Sequence, residues 1–189
     1  MKKIIPLLLL IFSINVGAQE LKKPSEGKAM VYFTRAEAMG FLINFKYFDG
    51  EKYLGKFNYG KYLAYECNPG THLFWAKSEN SDFVEAELEP NKVYILDSQP
   101  QMGAFKAGVK LIPFNNDPTY YKNEKTHNRI KTRMLESITS GESYSISEEE
   151  VKETEKDLQE LTKRIMEKYD KKKIEKEVIT QLPKEMFFQ

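Results

Sequence analysis

The stretch YLAYECNPGTHLFWAK, residues 62–77, decides the fold class. Hydrophobic and polar residues alternate on both sides of a central Asn-Pro-Gly-Thr, which is the two-residue period of half-buried β-strands. Pro69 presets φ at the second position of a type II turn, and Gly70 tolerates the positive φ that the third position requires. We therefore predict a hairpin, with strands over residues 62–67 and 71–77.

The same pattern extends over residues 28–114, with turn signals at the roughly eight- to twelve-residue spacing that is typical of a β-sandwich or barrel. We predict strands near 29–35, 41–48, 52–57, 62–67, 71–77, 83–88, 92–97 and 108–114. Asp49-Gly50 suits a two-residue hairpin, and Pro90-Asn91 suits another tight turn. Because such turns reverse the chain, we expect a mainly β fold: an antiparallel β-sandwich of about eight short strands, followed by a C-terminal helical extension of two helices.

Helical signals begin after Phe114, where glycines and aromatic residues become rarer and charged residues dominate. Asp117-Pro118 is a typical helix start and predicts a first helix over 118–137, with Ile130 and Met134 on one face. Ser147 and Glu150 form a capping box for a second helix that reaches about residue 178, before Pro183.

The second helix has an apolar stripe at helical spacing, formed by Val151, Leu158, Leu161, Ile165 and Tyr169. Such a stripe packs on the rest of the molecule in most globular proteins. The alternative is a partner helix or short coiled coil, and hence self-association through this helix.

The first eighteen residues resemble a secretory signal peptide. Lys2 and Lys3 precede an apolar run that ends in small and polar residues, which predicts cleavage after Ala18. The run is shorter than the about twenty residues that cross a bilayer, and no later segment is longer. The expected domains are residues 1–18 (signal peptide), 19–114 (β-sandwich) and 115–189 (helical extension). Because Cys67 lies far from the cleavage position, we predict an exported, periplasmic or extracellular protein that is not a lipoprotein and has no transmembrane segment.

The charge composition is balanced. The chain has 29 basic and 28 acidic side chains, and loss of the signal peptide leaves 27 basic against the same 28 acidic ones. This balance gives no reason to expect a nucleic-acid or anionic-lipid partner. With one cysteine in the chain, an internal disulfide is excluded.

Cys67 and His72 would face each other across the predicted hairpin, which raises the question of a thiol enzyme. Such an enzyme also needs a group that orients the histidine. Glu66 is the nearest acid, but it points to the opposite face, whereas Cys67 and His72 alternate with apolar residues of the core. His127 lies in the charged segment EKTHNR and is expected on the surface. We predict no catalytic residue, no cofactor and no metal ligand.

Two loops have similar apolar, glycine-containing sequences, AEAMGF at 36–41 and QMGAFKAG at 101–108. If all eight strands alternate in direction, the loops after the first, third, fifth and seventh strands share one end of the sandwich. Apolar loops clustered on a rigid scaffold are typical of binding sites. The candidate partner-binding residues are Met39, Gly40, Phe41, Met102, Gly103 and Phe105. The alternative is that Met39, Phe41, Met102 and Phe105 close the open end of the core or lie under the C-terminal helices.

Aromatic residues are dense between residues 45 and 62, where they are Phe45, Tyr47, Phe48, Tyr53, Phe57, Tyr59 and Tyr62. Most such residues form cross-strand pairs inside a sandwich. If exposed, they would form a stacking platform for sugars.

Residues 27–114 resemble the bacterial exported family known as domain of unknown function 2846. The resemblance rests on GKAMVYFTR at 27–35, Gly40, DGEKYLGKF at 49–57 and PGTH at 69–72. It implies a small envelope-associated β-sandwich without established catalytic residues. We therefore expect a non-enzymatic exported interaction or structural module of the cell envelope, with another envelope protein as partner. The alternative function is a small-ligand or glycan binder that uses the tyrosine-rich sheet.

Overall fold

The computed structural model describes residues 21–102 and 107–189, apart from the side chains of 152–155, and it places strands and helices in both ranges. The signal peptide predicted for residues 1–18 lies outside the described residues. The strands are β1 (Ala29–Thr34), β2 (Phe45–Asp49), β3 (Lys52–Phe57), β4 (Lys61–Cys67), β5 (Gly70–Lys77), β6 (Ser81–Leu88), β7 (Val93–Met102), β8 (Ala107–Pro113), β9 (Glu142–Ser143) and β10 (Thr180–Leu182). The helices are α1 (Glu124–Thr139) and α2 (Glu148–Ile174).

The strands form two five-stranded sheets. The first sheet has the order β8-β7-β1-β4-β9, and the second has the order β10-β6-β5-β2-β3. The predicted fold class, mainly β with C-terminal helices, is confirmed. Both sheets are mixed, however, because β1 runs parallel to β7, β4 to β9 and β6 to β10. The prediction that all neighbouring strands are antiparallel is therefore wrong.

The main core lies between the two sheets. Along β1, alternate residues point into it, among them Val31 and Phe33. The Phe33 ring lies 5.5 Å from that of Tyr47 and 5.4 Å from that of Phe74, and both of these belong to the second sheet. These contacts across the sheets identify the arrangement as a sandwich.

The Asn-Pro-Gly segment connects the two sheets and does not close a hairpin. β4 pairs with β1, with Ala29 opposite Cys67, whereas β5 pairs with β2 and β6. The hairpin prediction is wrong, although Gly70 does have positive φ, at 116°. Alternation along a strand is the same whether the next strand pairs beside it or packs face to face with it, so the sequence pattern fits both arrangements.

The other two tight turns differ from each other. Asp49-Gly50 closes the predicted β2–β3 hairpin, with φ of 55° at Gly50. The Pro90-Asn91 turn instead carries the chain from β6 in the second sheet to β7 in the first. Asn91 has φ of 62°, a left-handed conformation that asparagine tolerates better than most residues.

The predicted strand over 41–48 begins only at Phe45. Gly40 has φ of 62°, and the Ile43 N–H donates to the Gly40 carbonyl at 2.9 Å. This turn interrupts the extended conformation, so residues 41–44 belong to the loop between β1 and β2. All four are exposed.

α1 covers the outer face of the first sheet. Met134 and Ile138 pack in a second apolar cluster with Met30, Tyr32 and Ile95. The predicted helix start at Pro118 is wrong, because Pro118–Tyr120 forms a short 3-10 turn and α1 begins after Asn123. The Asn123 side chain accepts a hydrogen bond from the Thr126 N–H at 2.8 Å.

His127 lies within this second cluster and is buried, so its predicted surface position is wrong. Its ring lies 5.4 Å from that of Phe114 and 5.2 Å from that of Tyr121. The charged neighbours of His127 point outward, which is why local composition was misleading.

α2 covers the outer face of the second sheet. The predicted cap is present, since the Ser147 hydroxyl accepts from the Glu150 N–H at 3.1 Å, but the helix ends at Ile174 and not near 178. Its stripe residues Leu158 and Ile165 are buried in a third apolar cluster, with Phe48, Trp75 and Phe83 of the sheet. Packing on the sandwich is therefore confirmed. Among the described residues, neither helix combines the length and the apolar character that crossing a membrane demands.

Glu85 on β6 binds side chains at the C-terminal end of α2. Its carboxylate accepts hydrogen bonds from Lys173 at 2.6 Å and Tyr169 at 2.6 Å, both on α2, and from Gln181 on β10 at 2.7 Å. These donors, with Lys173 as the largest contribution, lower the pKa of Glu85 to about 2.

The C-terminal extension also adds one strand to each sheet. β9 pairs with β4, and β10 pairs with β6. The C-terminal Phe188 packs on Phe114, with ring centres 5.6 Å apart. Residues 115–189 are thus an integral part of the folded sandwich.

Side chains from the second sheet cover the free edge of β8. The Asn80 amide donates to the Val109 carbonyl at 2.8 Å and accepts from the Val109 N–H at 2.6 Å. The Leu111 N–H donates to Asp82 at 2.7 Å. Asn80 imitates the pair of hydrogen bonds that a further strand would make, which protects the edge from pairing with another chain.

Candidate functional site

Four loops meet at one end of the sandwich, which we call the loop end. Because β1 and β7 are parallel, with Thr34 opposite Asp97, the chain leaves both strands in the same direction. Tyr62 at the start of β4 lies opposite Thr34, and Lys46 at the start of β2 lies opposite Lys77 at the end of β5. The β1–β2, β3–β4, β5–β6 and β7–β8 connections therefore share this end, as predicted.

Large apolar side chains are exposed at the loop end. The exposed fraction is 43% for Met39, 57% for Phe41, 73% for Leu42 and 86% for Met102. The alternative that Met39, Phe41 and Met102 close the core is therefore wrong. Gly40 lies in the β1–β2 loop with Met39 and Phe41, whereas Gly103 and Phe105 lie outside the described residues.

Sequence reasoning missed Leu42 and Ile43, which are also exposed and extend the patch. Their apolar run fits the strand that the sequence pattern predicts over residues 41–48. The signal that could have revealed them is Gly40 directly before the run, since a glycine with positive φ commonly ends an extended segment. We call Met39, Phe41, Leu42, Ile43 and Met102 the apolar patch.

Arg35 holds the loop between β1 and β2 from below. It is fully buried, and its guanidinium donates to the carbonyls of Glu37 at 2.8 Å, Met39 at 3.1 Å and Gly40 at 3.1 Å. The guanidinium carbon also lies 4.3 Å from the centre of the Phe45 ring. A planar fork of donors suits such a set of carbonyls, so the conformation of the loop is fixed by its own first residue.

Asp97 is the second anchor under the loop. Its carboxylate accepts from the Ala36 N–H at 3.1 Å and from the Thr34 hydroxyl at 2.9 Å. Arg133 of α1 approaches Asp97 at 3.9 Å and forms an ion pair with Glu37. Burial raises the pKa of Asp97. Asp97 and Arg133 thus connect β1, β7 and α1 next to the loop that carries Met39, Phe41, Leu42 and Ile43.

His72 lies at the opposite end of the sandwich, where it pairs with an acid that sequence reasoning missed. Its Nδ1 is 2.8 Å from a carboxylate oxygen of Asp49, and its Nε2 is 2.8 Å from the carbonyl oxygen of Asn68. Both nitrogens face acceptors, so the doubly protonated imidazolium satisfies both contacts. The hydrogen bond to Asp49 is the largest contribution that raises the pKa of His72 to about 10.

The hydrogen bond to Cys67 is the second contribution that raises the pKa of His72. Both ring nitrogens of His72 also lie 2.8 Å from oxygen atoms, of Asp49 on one side and of Asn68 on the other. The thiol itself is buried in the main core. The Asp49 carboxylate also accepts a hydrogen bond from the Tyr65 hydroxyl at 3.0 Å. The cluster therefore links the β2–β3 hairpin to β4 and β5.

The dense aromatic segment is mostly interior. Phe45, Tyr47, Phe48 and Phe57 are fully buried, and the Tyr47 and Phe57 rings stack at 4.3 Å. The interpretation as core pairs is confirmed for these four. Tyr59, in the β3–β4 turn, is exposed.

Two grooves of about 640 Å³ each border α2. One lies beside the β2–β3 hairpin and includes Tyr53 and Met166. The other lies between β5, β6 and β10 and includes His72 and Tyr169. Neither is lined by a residue of the apolar patch, which therefore belongs to an exposed surface outside both grooves.

Within residues 21–102 and 107–189, no set of three His, Cys, Asp or Glu side chains is arranged to hold a metal ion. No family model, no curated protein and no solved structure matches the chain.

Proposed function

We propose that this protein is an exported, non-enzymatic interaction module of the bacterial cell envelope, and that it engages its target through the apolar patch at the loop end. The observation behind this proposal is the exposure of Met39, Phe41 and Leu42, on a loop that Arg35 and Asp97 hold in place, and of Met102 at the end of β7. Exposed apolar side chains on a rigid scaffold are typical of interaction surfaces.

The non-enzymatic part of the proposal rests on the polar clusters. Both ring nitrogens of His72 are engaged, and Cys67 is buried. The export part rests on the signal peptide predicted for residues 1–18. Another envelope protein is the target that the sequence suggests first.

The two alternative modes of binding have less support. A glycan platform needs exposed aromatic rings, and Phe45, Tyr47, Phe48 and Phe57 are buried. Self-association through α2 would use an apolar stripe that already packs on the second sheet.

Envelope fractionation tests this function. The double variant Leu42→Ser/Met102→Ser should fold normally, because both side chains are exposed, and should move from the envelope fraction to the soluble fraction. The matched control is Ile174→Ser/Val178→Ser, which removes apolar side chains that are 81% and 99% exposed but lie outside the patch. Unchanged envelope association of the Leu42/Met102 variant, with an unchanged melting temperature, would rule the proposal out.

A further inference from the structure

A row of lysines borders the loop end on the second sheet. Lys46 on β2 lies directly opposite Lys56 on β3 and also opposite Lys77 on β5. Like charges opposite each other on neighbouring strands destabilise a sheet. The facing pair Lys46 and Lys56 therefore lowers the stability of the sheet, and contact with an anionic surface would offset that cost.

Two cations of α2, Arg164 and Lys168, lie close enough to Lys77 to affect its pKa. Burial is the largest contribution that lowers the pKa of Lys77, and the charges of Lys168, Arg164 and Lys46 act in the same direction. Glu79 opposes them, and Asp157 and Glu160 share a hollow with Arg164. Cations and acids are thus mixed on α2, whereas the three facing strand positions 46, 56 and 77 are all lysines.

The ammonium group of Lys77 is held in position at the loop end. It donates to the carbonyls of Ser78, of Glu79 at 2.7 Å and of Asn80 at 3.3 Å in the β5–β6 turn, which engages all three of its N–H groups. The charge row thus ends in the same group of loops that displays the apolar patch.

The apolar patch directly adjoins this row along the chain. Phe41, Leu42 and Ile43 are exposed, and β2 begins two residues later with Phe45 and Lys46. The side chains of the apolar patch line neither groove beside α2. They are exposed, and no pocket of the protein encloses them at these two places. Exposed apolar side chains beside lysines suit the boundary between lipid headgroups and acyl chains, which accepts inserted side chains without a preformed pocket.

We propose that the target of the loop end is an anionic lipid surface: Phe41, Leu42 and Met102 insert below the headgroups while Lys46 and Lys56 contact the lipid phosphates. This inference rests on the proposed function and specifies its target. The net charge of the mature chain is about −1 by the predicted cleavage after Ala18, so the attraction comes from the local arrangement and not from the overall charge.

Vesicle co-sedimentation of the mature protein tests the inference. We expect binding to vesicles that contain phosphatidylglycerol, little binding to pure phosphatidylcholine, and release at high salt because screening weakens the contacts of the lysines. Phe41→Ser/Leu42→Ser should weaken binding by about tenfold or more, given the apolar surface lost from the membrane contact. Lys46→Gln/Lys56→Gln should weaken it by about fivefold for each lysine.

Matched controls distinguish insertion from nonspecific adhesion. Ile174→Ser/Val178→Ser and Lys122→Gln/Lys125→Gln remove comparable groups outside the loop end, and both should bind like the wild type. Equal loss of binding in these controls, or binding that ignores both salt and lipid charge, would overturn the inference. Envelope association that requires Leu42 and Met102, without any vesicle binding, would overturn it as well but leave the proposed function standing, with a protein as the target.

Discussion

His72 shows at the scale of a single residue how the structure changes the interpretation of a motif. Its neighbourhood in the sequence suggests a thiol and its base, whereas its contacts are those of an imidazolium between Asp49 and Asn68. Asp49 is 23 residues away in the chain, so no local pattern could have paired the two side chains.

We predict that His72 titrates near pH 10 in the native protein, as its raised pKa requires. The pKa in the unfolded chain is about 6.5, so the contribution to stability is complete below that pH and is lost as the pH rises through about 10. Ring-proton NMR gives the titration directly, and urea unfolding at several pH values gives the change in stability.

The control for His72 is Asp49→Asn, which removes the negative partner but keeps the size of the side chain. In this variant the pKa of His72 should move back toward its usual range. A wild-type midpoint near 6.5 would contradict the proposed ion pair.

Arg35 decides the conformation of the loop that displays the apolar patch. Arg35→Gln should lower the free energy of unfolding by about 3 kcal/mol, because three loop carbonyls lose their donor and the buried Asp97 loses a charged neighbour. The Arg35→Gln variant should also be cleaved by protease within residues 36–44 before the rest of the chain unfolds. Urea unfolding and limited proteolysis measure the two effects.

Arg35→Lys separates charge from geometry, since it keeps the charge and loses the planar fork. It should still release the loop. Arg129→Gln, on the exposed face of α1, should change neither measurement. A protease-resistant loop in Arg35→Gln would show that Arg35 does not hold it.

At the scale of elements, the strands follow from local pattern, and their pairing does not. Seven of the eight predicted strands lie close to observed ones, whereas the strand over 41–48 begins late because Gly40 turns the chain. The two tight turns at Pro69 and Pro90 both change sheets, although their residues suit a hairpin equally well. Turn chemistry determines the local reversal, but the choice of partner strand depends on residues far away in the chain.

Asn80, in the β5–β6 turn, covers the edge of β8 at Val109, next to the contact that Asp82 makes with Leu111. Asn80→Ala should leave the N–H and carbonyl of Val109 without these partners, at a cost of about 2 kcal/mol, and should expose a strand edge that can pair with a second chain. Size-exclusion chromatography over a range of protein concentrations should therefore show a dimer or larger species for this variant. Asn58→Ala, in the β3–β4 turn, is the matched control and should remain like the wild type, and a concentration-independent Asn80→Ala profile would argue against the protective role.

At the scale of the whole molecule, the C-terminal extension completes the sandwich. Both sheets have apolar outer faces, with Met30 and Tyr32 under α1 and Trp75 and Phe83 under α2. Amphipathic patterning of the helices predicted that they could pack on the sandwich. The strands also need this cover. β1 is buried along its entire length, so both of its faces are covered.

We expect truncation after Phe114 to abolish cooperative unfolding, because it removes β9, β10 and the cover of both outer faces. Circular dichroism during heating, with a hydrophobic dye to detect exposed apolar surface, measures this effect. Val178→Ser in the full chain should melt like the wild type. A truncated protein with an unchanged midpoint would show that the sandwich is stable without its helices.

The amino-acid sequence by itself determined the alternation of the strands and the end of the sandwich to which each loop belongs. Both properties are local: side chains alternate along any strand, and every connection reverses the chain, so the position of Met39, Phe41 and Met102 at one end survives the errors in pairing. Only the tertiary structure decided which strands pair, and with them the parallel β1–β7 contact, the Asp49–His72 ion pair and the lysine row. Those features join residues that are distant in the chain, and their formation depends on how two sheets and two helices bury their apolar faces together.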